Sequence, residues 1–344
     1  MRHAVTARRS RQSGLTLVEL MVSITLGLMI LSGVLTVFFN TSAARNEVER
    51  TSRQIENGRH AVQILATDLR LAGFYGEFDP GSIAAPASLP ADPCSLSAAD
   101  WSQWLPLHVL GFDNAGFASA NCALPNLKPG SDVVMLRRAR TCMAGVAGCE
   151  TAAAGSPYLQ VSLCATEATS LKVGLEGGTT FDLKRKDCAG AAEKRQYYTH
   201  IYFISADNGA GGAVPTLMRL ALTGGGWSTV PLVEGIEEFQ VEYGLDSDGD
   251  GAPDAYVANP SDFPKGVCTG ACPVNNWMNV VTVRFHLLAR NLDASPSYAD
   301  VKTYQLGVDE NGSPVTVAPG GPYRRHVYGS LVRIANAAGR RERP

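Results

Sequence analysis

The sequence predicts an α+β chain: a long N-terminal spine helix, membrane half plus amphipathic half, followed by a mostly antiparallel β domain with disulfides. Three observations predict it. Leu20 to Phe39 is a twenty-residue run without a charge. From there to Ala72 apolar residues recur at helical spacing. Later the chain breaks into short runs rich in Val, Ile, Tyr and Phe, bounded by Gly, Pro, Asn or Asp, with no second long helical pattern among them.

The helix comes first. At ~1.5 Å per residue, twenty residues span roughly 30 Å, about one hydrocarbon core. Arg2, Arg8, Arg9 and Arg11 precede the run and no acid stands before Glu19 at its edge, which orients the N-terminal end towards the cytoplasm. A secretory signal peptide would have a shorter apolar region with a small-residue cleavage site behind it. Here Gly14 stands in front of the run. A plain anchor leaves Glu19, at the apolar edge, without a use, and such a carboxylate is costly.

The stretch Gly14-Leu15-Thr-Leu-Val-Glu19 resembles the class III signal of type IV prepilins and pseudopilins. The resemblance implies cleavage between Gly14 and Leu15 by a prepilin peptidase, N-methylation of Leu15, and retention of the apolar helix. It implies that Glu19, the fifth mature residue, pairs with the N-terminal amine of a neighbouring subunit. Opposite charges in a dry helix bundle stabilise each other and help fix register. The family's first mature residue is usually Phe, and Leu15 departs from that.

From Asn40 the helix turns polar. Val48, Ile55, Val62, Leu65, Leu69 and Ala72 mark one face, and Arg45, Glu47, Arg50, Arg53, Glu56, Arg59 and Arg70 the other. Gly27, Gly33 and Gly58 are weak points, each costing about 1 kcal/mol against Ala; they serve either close packing or local melting. Gly73 is placed as a C′ cap. The expected organisation is a cleaved leader (1–14), a transmembrane or filament-core helix (15–39), its amphipathic continuation (40–73) and an exported β-rich domain (74–344).

Residues 77–130, rich in Pro, Ala, Ser and Gly, read as an irregular insertion. Strands are expected at 132–136, 158–163, 200–205, 216–221, 236–243, 280–288 and 326–334. The eight cysteines (Cys94, Cys122, Cys142, Cys149, Cys164, Cys188, Cys268, Cys272) all follow the helix, on the exported side, and their even number reads as disulfides. Sequence alone leaves the connectivity open. Local loops are the cheapest to close: Cys142 with Cys149, Cys268 with Cys272, Cys164 with Cys188, and Cys94 with Cys122. No CxxC and no nearby His favours zinc.

Of the chain's 30 basic residues, four are arginines of the leader; the remaining 26 face 32 acids, scattered rather than clustered. No basic stripe indicates nucleic acid. The six histidines stand alone, without HExxH, GxSxG or a phosphate-binding GxxxxGK, and Gly224-Gly-Gly226 lacks the lysine. This speaks against an enzyme. His200 and His286 read as structural, and the Tyr and Trp residues of the β runs as sheet packing.

The best local motif is Asp246-Ser-Asp248-Gly-Asp250-Gly251-Ala-Pro-Asp254. Acids at positions 1, 3, 5 and 9 with Gly at 6 match an oxygen-rich calcium loop, to which the Ala252 carbonyl could add a ligand. Val257 replaces the bidentate Glu at position 12, so a complete EF-hand is excluded and a truncated structural calcium loop is expected. Against it stands a solvated turn. Asp309-Glu310-Asn311-Gly312 is expected to be only a turn.

The helix end Asp68-Leu-Arg-Leu-Ala-Gly-Phe-Tyr-Gly76 and the overall layout resemble PilW-type minor pilins. That implies a role in priming type IV pilus assembly from the bacterial inner membrane, with a place at the pilus tip. The implied partners are other minor pilins, the major pilin, the prepilin peptidase, the inner-membrane assembly platform and a PilY-type tip protein. The rivals are a large pseudopilin of a type II secretion system and an adhesive, ligand-binding head carried by the pilus.

Overall fold

The computed structural model describes Gly14 and residues 16–224, 226–296 and 298–342. The chain divides into two compact units, one ending at Arg50 and the other beginning at Thr51. Helix α1, Leu17–Arg70, runs through both.

In the first unit the apolar run is helical throughout and its side chains are exposed: Met29, Ile30 and Phe39 are 72, 68 and 65% accessible. The helix is long and apolar enough to cross a membrane. Three of its hydroxyls are satisfied locally. Ser23 Oγ donates to the Glu19 carbonyl at 2.7 Å, Thr25 Oγ1 to Met21 at 3.0 Å and Thr36 Oγ1 to Ser32 at 2.9 Å. Hydroxyls bonded back to the preceding turn cost little in an apolar medium.

In the second unit the rest of α1 buries Gln54, Gly58, Ala61, Leu65, Asp68 and Leu69, a stripe at spacings of three and four. The expected face holds at Val62, Leu65, Leu69 and Ala72, which are buried or packed on the core, and fails nearer the N-terminus. Ile55 is 38% exposed, and Val48, in the first unit, is 70% exposed. Small residues at Gly58 and Ala61 let the helix approach closely, and the two polar members find partners. Gln54 Nε2, for instance, donates to the Ala289 carbonyl at 2.8 Å. Gly73 adopts the left-handed conformation expected of a C′ residue (φ +71°). Its N–H, however, donates to the Arg137 carbonyl at 2.9 Å rather than closing the helix.

The strands are β1 (Val109–Phe112), β2 (Val133–Met143), β3 (Pro157–Val161), β4 (Leu171–Leu175), β5 (Lys194–Ser205), β6 (Thr216–Thr223), β7 (Gly226–Glu234), β8 (Ile236–Leu245), β9 (Ala255–Val257), β10 (Val280–Arg290), β11 (Tyr304–Val308), β12 (Pro314–Val317) and β13 (Arg325–Arg333). All seven expected strands are present. One sheet runs β1-β2-β5-β3-β4, with β6 also on β5 and β7 on β6; a second runs β13-β10-β8-β9; β11 and β12 form a hairpin. Every pairing of these strands is antiparallel.

One core joins both sheets to the helix: Ala61, Leu65 and Leu69 meet Met135, Ile201 and Phe203 of the first sheet and Phe239, Val241 and Phe285 of the second. β8 is buried along its whole length. Its Phe239, Val241, Tyr243 and Leu245 alternate with Glu238, Gln240 and Glu242. Glu242 accepts the Val308 N–H at 3.1 Å and the Arg284 guanidinium at 3.0 Å, so the second face is covered yet satisfied.

The segment 77–130 proves to be more than an insertion. It contains helix α2 (Ala98–Gln103) and β1, and it buries Trp101, Trp104, Leu105 and Leu107; helices α3 (Cys272–Met278) and α4 (Ala335–Arg341) follow later in the chain. The eight cysteines pair as Cys94–Cys122, Cys142–Cys149, Cys164–Cys188 and Cys268–Cys272.

Candidate assembly helix and acidic loop

At the start of α1, Glu19 and Thr16 satisfy each other. The Thr16 N–H and Oγ1 donate to Glu19 Oε2 at 3.2 and 3.1 Å, and the Glu19 N–H donates to Thr16 Oγ1 at 3.3 Å. This is a reciprocal capping box, and Glu19 also faces the positive end of the helix dipole. The carboxylate at the apolar edge is therefore partnered within its own chain. The signature Thr-x-x-Glu was present in the sequence and its capping role was missed. Gly14 is exposed, with open space where a Cβ would stand. Leu15, Arg2, Arg8, Arg9 and Arg11 lie outside the described residues.

At its other end α1 is fixed by a buried polar node. Asp68 Oδ2 accepts from His200 Nδ1 at 2.6 Å and from Tyr202 Oη at 2.7 Å, and Oδ1 accepts from Arg138 Nε at 2.5 Å. Burial works to raise the Asp68 pKa, but the His200 and Arg138 contacts prevail and hold it well below the usual carboxylate range. Burial lowers the pKa of His200 despite the carboxylate, and lowers that of His108 to about 4. His108 Nε2 lies 2.8 Å from the Val280 carbonyl. Both histidines are buried and hydrogen-bonded within the fold. Tyr197, Tyr202, Tyr243 and Trp277 are core residues.

The acidic loop joins β8 to β9. Asp246 is fully buried and accepts the N–H groups of Gly249 at 2.6 Å and Gly251 at 3.0 Å; Asp254 accepts that of Ser247 at 2.6 Å. Carboxylate oxygens of Asp246, Asp248 and Asp254 lie within 4.8 Å of one another. Asp250 stands outside this group and accepts the Ala252 N–H at 2.7 Å. Gly251 needs its glycine: φ is +84°, and a Cβ would meet the Ala338 carbonyl at 2.8 Å. Val257 lies in β9, paired with Tyr243. Sequence gave no sign of Arg341, at the end of helix α4 (Ala335–Arg341), whose Nη1 lies 3.4 Å from Asp246 Oδ2. Three acidic oxygens suit a hard cation, while Arg341 already supplies one fixed positive charge beside them. Asp309 accepts the Asn311 and Ser313 N–H groups, both at 2.8 Å, in a turn between β11 and β12.

Residues 201–336, from within β5 into α4, match the family model described as Type IV Pilus-assembly protein W. Residues 9–35 match the prokaryotic N-terminal methylation motif. A type IV-like pilin from Thermus thermophilus aligns over 84% of this chain and 97% of its own, with 12% identity and a TM-score of 0.32. No curated protein sequence matches significantly.

Proposed function

We infer, for a type IV pilin-like chain with a PilW domain behind a prepilin N-methylation motif, the role of a minor pilin that primes pilus assembly and takes its place at the pilus tip. The observation that carries this reading is the helix Leu17–Arg70, apolar and exposed at one end and built into the core at the other. An apolar helix surface of this size is stable only in lipid or among other helices.

In this reading prepilin peptidase cuts between Gly14 and Leu15, leaving the helix in the inner membrane and residues from 74 onward on the periplasmic side. The assembly platform then extracts the helix into a bundle with the major pilin and other minor pilins, where lipid contacts give way to protein contacts. Glu19 exchanges the neutral donors of Thr16 for a neighbour's amine, a stronger charge-assisted bond. A large β domain packs poorly in a uniform shaft and suits the tip, where a PilY-type protein would adjoin it. The chemistry is assembly rather than catalysis. Asp246, Asp248 and Asp254 are proposed to hold a structural calcium ion.

The test is the mass of the N-terminal peptide in membranes together with pilus counts in a deletion strain. A methylated peptide beginning at Leu15 and scarce pili are expected. Normal pili with failed protein secretion would point to a type II secretion pseudopilin, and an unprocessed N-terminus would overturn the reading.

A further inference from the structure

A cleft of about 320 Å³ opens between the Gln54–Arg59 turn of α1, the 298–302 segment and the start of β13. Its lining includes Arg59, Lys302, Arg324 and His326 and no carboxylate. Two acids beside the cleft are already paired. Arg325, buried, takes Glu237 at 2.5 Å and Asp300 at 2.8 Å. Asp300 also accepts the Tyr304 hydroxyl at 2.9 Å, the Tyr298 hydroxyl at 3.4 Å and the Lys302 N–H at 3.2 Å. One buried carboxylate therefore fixes the wall that carries Lys302. Two rings pack against other side chains of the lining: Arg324 lies 4.5 Å over Tyr298, and His326 meets Tyr328 edge-on at 4.8 Å. Among the described residues, neither Arg59 nor Lys302 has an ion-pair partner.

We propose that this cleft is a docking site for an acidic segment of a partner protein, one whose carboxylates alternate with apolar side chains. Three features select that chemistry. Arg324 is held against Tyr298 before any ligand arrives, which lowers the ordering cost of binding an anion. The rim is apolar as well as cationic, with Val301 91% exposed and Ile55 38%. The volume holds a few side chains, whereas single-stranded nucleic acid needs a long basic groove with open aromatic faces, and the face of Tyr298 is already covered by Arg324.

The experiment uses the full chain in detergent micelles and a fluorescein-labelled octapeptide, Glu-Leu-Ser-Glu-Glu-Leu-Ser-Glu, followed by anisotropy. Its Gln-for-Glu counterpart and a labelled oligothymidylate serve as comparisons. The acidic peptide should bind at least tenfold more tightly than the Gln peptide, and raised salt should weaken it. The double variant Arg59→Glu, Lys302→Glu, with an unchanged circular dichroism spectrum, should lose at least tenfold in affinity. Asp300→Asn should weaken binding through the wall it holds, and Val301→Ser through the rim. Equal binding of the two peptides, full affinity in the double variant, or tighter binding of oligothymidylate than of the peptide would each overturn the proposal.

Discussion

Asp68 and His200, 132 residues apart in sequence, meet through a 2.6 Å hydrogen bond between Oδ2 and Nδ1. It ties the last turn of α1 to the middle of β5. Arg138 from β2 and Tyr202 from β5 complete the shell, so one carboxylate serves three donors. Removing one member of a buried ion pair strands the others and costs about 3–5 kcal/mol. Asp68→Ala should lower the unfolding free energy in urea by an amount in that range, and Asp68→Asn by less, since the amide oxygen still accepts.

The same node makes stability acid-sensitive. The folded pKa of Asp68 is depressed, so its contribution is present above the unfolded value near 3.8 and is lost as pH falls below it. For His108 the folded pKa, about 4, lies below the unfolded 6.5. The unfolded chain therefore takes up the proton first. The stability from neutral His108 is complete above pH 6.5 and is lost as pH falls through about 4, amounting to about 3 kcal/mol. His200 acts in the same direction. Thermal melts should thus weaken first between pH 6.5 and 4, and His108→Gln should flatten that part of the profile.

Gly58 sits in α1 where a Cβ would fall within the ring of Tyr328. Gly58→Ala gains about 1 kcal/mol of helix propensity but overpacks the contact at a cost of about 1–3 kcal/mol. The single variant should be destabilised, and Gly58→Ala in a Tyr328→Ala background should be stabilised relative to Tyr328→Ala alone. A double-mutant cycle by urea unfolding measures the coupling.

The disulfides should differ in worth with the loop each closes. Cys94–Cys122 spans 28 residues and Cys268–Cys272 only 4. Loop entropy makes the former worth about 3–4 kcal/mol. It also secures the chain around Cys94, whose carbonyl accepts the Trp227 Nε1–H at 2.9 Å. Replacing Cys94 and Cys122 by Ala should lower the melting temperature more than replacing Cys268 and Cys272.

Calcium at tenfold its dissociation constant should stabilise the chain by about 1.4 kcal/mol, seen as a raised melting temperature that Asp248→Asn abolishes. Arg341→Ala should tighten calcium binding, because the guanidinium beside Asp246 repels the incoming ion, while loosening α4. Absence of calcium heat in titration at millimolar concentration sinks the proposal.

The fold was legible where side chains alternate or recur strongly. Phe239, Val241, Tyr243 and Leu245 announced β8, and Val280 to Leu288 announced β10. The strands that escaped notice lack that signal. β7 alternates weakly and contains Pro231; β4 is five residues with Gly174 inside. Both depend on neighbours for their shape. The helix stripe was right at Leu65, Leu69 and Ala72 but omitted Gln54, Gly58 and Asp68, buried for reasons of distance and hydrogen bonding that hydrophobicity does not register. The acidic motif brought Asp246, Asp248 and Asp254 together as its spacing suggested, but the position of Asp250 depends on the loop's own turns. Arg341, 95 residues from Asp246, could be found only in three dimensions.

Each of the four disulfides joins a cysteine to the next one along the chain, across 28, 7, 24 and 4 residues. None encloses or crosses another. A polypeptide emerging in sequence order presents every thiol with its correct partner before the following pair arrives. Oxidation can then keep pace with emergence, and a simple oxidase suffices without an isomerase to reshuffle wrong pairs.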